Sequence, residues 1–161
     1  MNSNPAPLEI TIGQAVPGDA GELLALQRAA YQSDAEIYQD WTIAPLEETE
    51  AQSVQSLQTC QVFIARVSGR IAGSVRIELD GTLSKIGRLF VDPEMQGMGL
   101  GMSLMQAAEQ TFSFATRFQL FTGSRSARNI ALYHRLGYRL IAERKLNDKV
   151  TLAVLEKQKE G

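Results

Sequence analysis

Residues Ile86 to Ala108 read Ile-Gly-Arg-Leu-Phe-Val-Asp-Pro-Glu-Met-Gln-Gly-Met-Gly-Leu-Gly-Met-Ser-Leu-Met-Gln-Ala-Ala, a strand, a glycine turn and a helix in succession. Leu89, Phe90 and Val91 form an apolar run that Pro93 stops; Leu100, Leu104, Ala108 and Phe112 then recur every fourth residue, the spacing of a helix face. Between them lies Gln96-Gly97-Met98-Gly99-Leu100-Gly101. Closely spaced glycines permit positive φ and leave N–H groups unpaired at the helix start, where they and the helix dipole favour a phosphate. The same glycines also suit an ordinary tight strand-to-helix turn. Two known phosphate motifs do not fit. The dinucleotide fingerprint needs glycine at Met102, and a P-loop needs a lysine, none of which occurs between Lys85 and Lys145.

Upstream and downstream of this unit the chain reads as a mixed α/β pattern. A first strand spans Glu9 to Ala15, and Pro17-Gly18-Asp19 introduces a helix with Leu23, Leu24, Leu26 and Ala30 as its buried stripe. Tyr31 to Ala44 lacks a clean period and is expected to be irregular or briefly helical; Pro45 is expected to open one helix running to about Leu57. Gln61 to Val67, Ile71 to Leu79 and Lys85 to Val91, joined by turns at Ser68-Gly69-Arg70 and Asp80-Gly81, make an antiparallel meander. The strand-helix-strand unit ending in Arg117 to Thr122 implies a parallel pair. A helix carrying Asn129 and Tyr133 ends at Gly137, and Tyr138 to Lys145 and Val150 to Leu155 form a final hairpin.

At 161 residues, a single domain over residues 8–156 is expected, after a loose leader (1–7) and before a frayed tail (157–161). Sixteen basic against eighteen acidic residues leave a net charge of −2, which points away from nucleic acid as main partner. The one cysteine, Cys60, and the one histidine, His134, cannot build an internal disulfide or a cysteine or histidine metal cluster, so no metal is expected. No apolar run approaches the ~20 residues that span a bilayer. Met1 to Pro7 lacks the basic and apolar regions of a signal peptide, so no membrane association and a cytoplasmic location are expected.

Two segments resemble the GNAT superfamily of N-acetyltransferases. Val91, Pro93, Gln96, Gly99 and Gly101 match its Val-x-Pro-x-x-Gln/Arg-x-x-Gly-x-Gly/Ala signature, and Asn129, Ala131, Leu132, Tyr133, Gly137 and Tyr138 are similar to its downstream Asn-x-x-Ala-x-x-x-Tyr-type segment. The resemblance implies a mostly antiparallel six- to seven-stranded sheet with a central parallel pair, flanked by about four helices. It implies acetyl transfer from acetyl-CoA to a primary amine on a small molecule, a peptide N-terminus or a lysine. The cofactor pyrophosphate would lie on Gln96, Gly97, Met98, Gly99, Leu100 and Gly101, and its pantetheine arm along Leu89, Phe90 and Val91. Asn129 would contact the pantetheine, and Tyr133 would protonate the leaving thiolate. Met98 departs from the family, where a basic residue is common.

Other readings stay open. Tyr133 also fits a core aromatic and Asn129 a capping residue; a fold of this kind that binds acyl-CoA as a sensor, without turnover, is a second function class. The general base is open among Glu78, Asp80, Glu36, Tyr38 and water. Ala29 to Ala65 lacks Lys and Arg but holds Asp34, Glu36, Asp40, Glu47, Glu48 and Glu50 near Tyr31, Tyr38 and Trp41. The resemblance implies that this stretch flanks the acceptor groove; an acidic groove there would favour a cationic amine, though the same acids suit a solvated helix start. Acyl chain length is open too, as is a homodimer, for which sheet edges and the C-terminal hairpin would serve.

Overall fold

A computed structural model describes residues 8–160; the expected leader, 1–7, lies outside the described residues. Seven strands form one sheet in the order β1-β2-β3-β4-β5-β7-β6. They are β1 (Ile10–Gln14), β2 (Gln61–Val67), β3 (Arg70–Asp80), β4 (Leu83–Val91), β5 (Arg117–Gly123), β6 (Arg139–Lys145) and β7 (Thr151–Gln158). Every neighbouring pair is antiparallel except β4 and β5, the expected parallel pair. The last hairpin folds back so that β7, not β6, lies against β5, leaving β6 exposed along its length at the sheet edge.

The strand period of two divides the core between the two faces. Ala65, Val75, Ile77, Ile86 and Leu89 pack with Leu100, Leu104, Met105 and Ala108 of the central helix α5. Val62, Ile64, Ile71 and Phe90 pack on the opposite side with Leu23. The helices are α1 (Ala20–Ala30), α2 (Gln32–Tyr38), α3 (Ala44–Glu47), α4 (Glu50–Thr59), α5 (Leu100–Glu109) and α6 (Ala127–Arg135).

Two expectations are corrected. The helix from Pro45 to Leu57 is broken: Glu48 is extended at ψ 131°, and Thr49 caps α4 by accepting the Gln52 N–H while Gln52 Oε1 accepts the Thr49 N–H. The segment 157–161 does not begin as a frayed tail. Lys157 and Gln158 belong to β7, the Lys159 N–H donates to Thr116 O, and Lys157 Nζ lies 2.8 Å from Glu109 Oε1. Pairing along β5 gives these charged residues backbone partners, which their composition does not disclose.

Tyr31 to Ala44, expected to be irregular or briefly helical, holds the short helix α2 followed by turns, and α2 is tied to the centre of the molecule through Tyr38. Tyr38 Oη accepts the Arg125 N–H at 2.9 Å and shares a 3.2 Å bond with Ser126 Oγ. Its ring lies directly on Gly123, where any Cβ would collide with the phenol. Gly123→Ala is therefore expected to cost about 1–3 kcal/mol of stability, read as a lower denaturant midpoint at unchanged slope.

Candidate functional site

Ile86 and Leu89 face the same core although they stand three positions apart, an odd step, so strict alternation must fail between them. The extra residue is Arg88, at φ +50°, where the pairing of β3 with β4 shifts register. This is a β-bulge with arginine in the left-handed position that glycine usually holds. Pairing of β4 with β5 stops at Ile86 and Leu120, although both strands run on. Beyond that point the two strands splay.

Two hollows occupy the splay. A cavity of about 350 Å³ is lined by Tyr31, Asp34, Arg88, Leu89, Asn129 and Tyr133, among others. A groove of about 570 Å³ continues from it along Leu89, Phe90, Val91, Pro93 and Gln96, with Asp34 and Asn129 shared by both. The groove leads toward the glycine turn. Gly97 at φ +86° and Gly99 at φ +76° hold conformations that side chains resist, and a Cβ on either would meet nothing within 4 Å. These glycines therefore serve backbone shape and open space rather than packing. Among the described residues, no acceptor takes the N–H groups of Gly97, Met98, Gly99, Leu100 or Gly101. Donors of this kind at a helix start suit a phosphate. Met98 packs against the apolar core instead of facing the turn's open side.

Of the residues expected at the site, Leu89, Phe90, Val91, Gln96 and Asn129 line the groove, Tyr133 lines the cavity, and Gly97 to Gly101 form the turn beyond Gln96. Tyr133 is buried, and its ring meets Tyr138 edge-on at 6.1 Å. The Tyr138 hydroxyl donates to Glu109 Oε2 at 2.9 Å, but the Tyr133 hydroxyl has no hydrogen bond among the described residues. Burial pushes the Tyr133 phenol well above its ordinary value, and nearby Tyr31 and Asp34 add to the shift. Tyr31, pushed up to about 12 chiefly by burial, donates to Leu89 O at 3.3 Å and stacks edge-on to Phe90.

The candidate bases fare differently. Tyr38 is committed to the turn before α6, Glu36 is exposed, and exposed Asp80 pairs with Lys85 at 3.3 Å. Glu78 lines a separate groove beside the cavity. The carboxylate that does enter the cavity is Asp34, which sequence reading had counted only among the local acids. It is half-buried, carries no ion pair or hydrogen bond among the described residues, and burial raises it above its ordinary value. Nothing in the local sequence separates it from Glu36; only the way α2 lies over the splay does.

The expected acid-rich groove is also revised. Glu48 is not a solvated helix-start acid: its side chain is 7% exposed, with Oε2 2.6 Å from Arg76 and Oε1 3.6 Å from Arg88. Burial pushes Glu48 up, but the two guanidiniums outweigh it and hold the carboxyl below its usual value. Asp40 turns its carboxylate onto Thr42, and Trp41 is exposed outside the cavity lining.

The sequence model of the family described as "Acetyltransferase (GNAT) domain" matches residues 29–159. The chain belongs to the GNAT acetyltransferase family. An IAA acetyltransferase of Azospirillum brasilense is 30% identical over 122 residues, covering 70% of this chain and 78% of that protein. The PaiA N-acetyltransferase of Thermoplasma acidophilum, solved in complex with coenzyme A, superposes with a TM-score of 0.78 at 13% identity, over 94% of this chain and 99% of the other. YncA of Salmonella typhimurium, solved with its cofactor acetyl-CoA, gives 0.72 at 18% identity, over 93% and 94%. These distant likenesses establish the GNAT fold of this chain: a mostly antiparallel sheet with one parallel pair, flanked by helices. No helix among the described residues is long and apolar enough to cross a membrane.

Proposed function

We propose that this GNAT chain transfers the acetyl group of acetyl-CoA to a primary amine by direct attack, with Tyr133 as general acid and Asp34 as general base. One observation carries the reading: a single cavity in the β4–β5 splay is lined by a buried phenol and a carboxylate that, among the described residues, have neither a hydrogen bond nor an ion pair. Acid and base chemistry needs such groups together and uncommitted. The cofactor fits the residues present, because the glycine turn offers unpaired N–H donors and open space, and the groove from Gln96 to Leu89 leads from it to the cavity.

In this reading the backbone of Gln96 to Gly101 holds the pyrophosphate, Leu89, Phe90, Val91 and Asn129 line the pantetheine arm, and a β4 N–H polarises the carbonyl. When bound, acetyl-CoA supplies a thioester whose C–S bond is exchanged for a C–N bond to the amine. Asp34 takes the proton that the amine loses. Tyr133 gives its proton to the departing sulfur. A phenol raised by burial is a poorer acid than the same phenol in water, but a thiolate left in the same dry site is a stronger base, so both shift together.

Calorimetric titration with acetyl-CoA, with NAD as a control for generic phosphate binding, tests the cofactor. Micromolar binding selective for acetyl-CoA, followed by release of free thiol with an amine, is expected. If neither nucleotide binds, the glycine turn is structural and the transfer reading falls. Acetyl-CoA binding with no thiol release from any amine would make the chain a sensor.

A further inference from the structure

The charges around the cavity do not balance in pairs. Glu48 is one carboxylate facing two guanidiniums: its Oε2 is taken by Arg76, and its Oε1 stands 3.6 Å from Arg88, beyond hydrogen-bond length. Arg88 donates no hydrogen bond to any described residue, and its Nε is buried without a partner. A guanidinium that has lost water on part of its surface without gaining an acceptor carries a desolvation cost, and its left-handed backbone adds about 1 kcal/mol of strain. Both costs are sustained at one residue, at the floor of the cavity, where a glycine would remove them.

Asp34 lines the same cavity without an ion pair among the described residues, and no bridge within 4 Å joins it to Arg88. An unpaired anion and an underpaired cation thus line one small space. At about 350 Å³ that space is near the lower end for ligand sites, a size for a small molecule.

We infer that Arg88 recognises a carboxylate on the acceptor, so that the substrate is a small amino carboxylate with its nitrogen toward Asp34 and its carboxylate on the Arg88 fork. The planar fork of arginine suits a carboxylate, and an anion there completes the charge that Glu48 supplies only in part. This revises the cationic-amine expectation: the floor of the site favours an acceptor with a negative group beside the amine. The inference rests on the acetyl-transfer reading for the meaning of "acceptor", while the recognition itself is readable by binding alone.

The test uses the full chain loaded with coenzyme A and matched probes: L-alanine, L-methionine and L-phenylalanine, each against its carboxamide and its decarboxylated amine, with an aminophosphonate as a second anion. Calorimetric affinity is measured for all, and kcat/KM with acetyl-CoA wherever thiol is released. At least one acid is expected to exceed its amide by about tenfold or more, and the Arg88→Gln protein is expected to bind the two alike with unchanged coenzyme A affinity. Arg88→Lys, which keeps the charge but not the fork, should retain only part of the preference. An aminophosphonate that outbinds every carboxylate would overturn the carboxylate assignment. So would amides or amines that equal or outdo the acids, no binding by any acid, or a preference that survives Arg88→Gln. A protein that acetylates simple amines but ignores the acids would sink this inference and leave acetyl transfer intact. One that binds acids through Arg88 but never acetyl-CoA would do the reverse.

Discussion

Replacing Tyr133 with Phe is expected to lower kcat by about a hundredfold or more while leaving acetyl-CoA affinity and melting temperature close to those of the parent. The separation of effects follows from how the side chain is held. Its ring is buried and packs edge-on against Tyr138, contacts that phenylalanine keeps. Its hydroxyl has no partner among the described residues, so removal leaves no orphaned donor or acceptor behind. A tyrosine retained only for packing would therefore lose nothing measurable. The hydroxyl is also protonated throughout the physiological range, because burial and the neighbouring Tyr31 and Asp34 hold the phenol far above its ordinary value. It can therefore serve as a loaded acid at any working pH, and no limb of the pH profile near neutrality should come from it. Single-turnover thiol release compared between the two proteins decides the matter: equal rates would remove Tyr133 from the chemistry.

The parts of the molecule legible in the sequence are those in which residue type dictates backbone shape. Gly97 and Gly99 adopt the positive φ that their spacing suggested, Pro93 ends β4's run, and the four-residue period from Leu100 gives the buried face of α5. The break between α3 and α4 was legible too, as Thr49-Glu50-Ala51-Gln52 carries the capping pattern, but Pro45 and the following acids suggest one continuous helix start. Arg88 was hidden for a different reason. Gly87 hints at a bulge, yet which neighbour takes the left-handed turn depends on Ile86 and Leu89 both reaching the α5 face. Asp34 was hidden because its burial comes from a distant contact, Tyr38 on Gly123 and the Arg125 N–H, that settles α2 over the splay. Local pattern specifies the glycine turn; long-range packing specifies the cavity beside it.

Asp34→Asn is expected to produce opposite changes in activity and stability. Burial raises the Asp34 carboxyl above its ordinary value, with no cation in contact to offset it. A group raised in this direction stabilises the fold only while it stays protonated: the contribution is whole below the unfolded pKa and is lost as pH climbs through the folded one. At neutral pH the ionised carboxylate is thus a cost to the fold, and asparagine, which keeps the shape without the charge, should melt at a higher temperature than the parent. The gap should close as pH falls through the raised folded pKa toward the unfolded one, as the parent's carboxyl takes up its proton. Turnover should move the other way, by about a hundredfold or more, because the amide cannot take the amine's proton. In the parent, the acidic limb of kcat/KM should lie above the ordinary carboxylate range and should vanish in the variant. Stability alone cannot separate a base from a merely strained acid; the paired loss of turnover and of that limb can. A variant that melts higher but keeps both rate and limb would show that water carries the proton and that Asp34 serves only to place charge in the pocket.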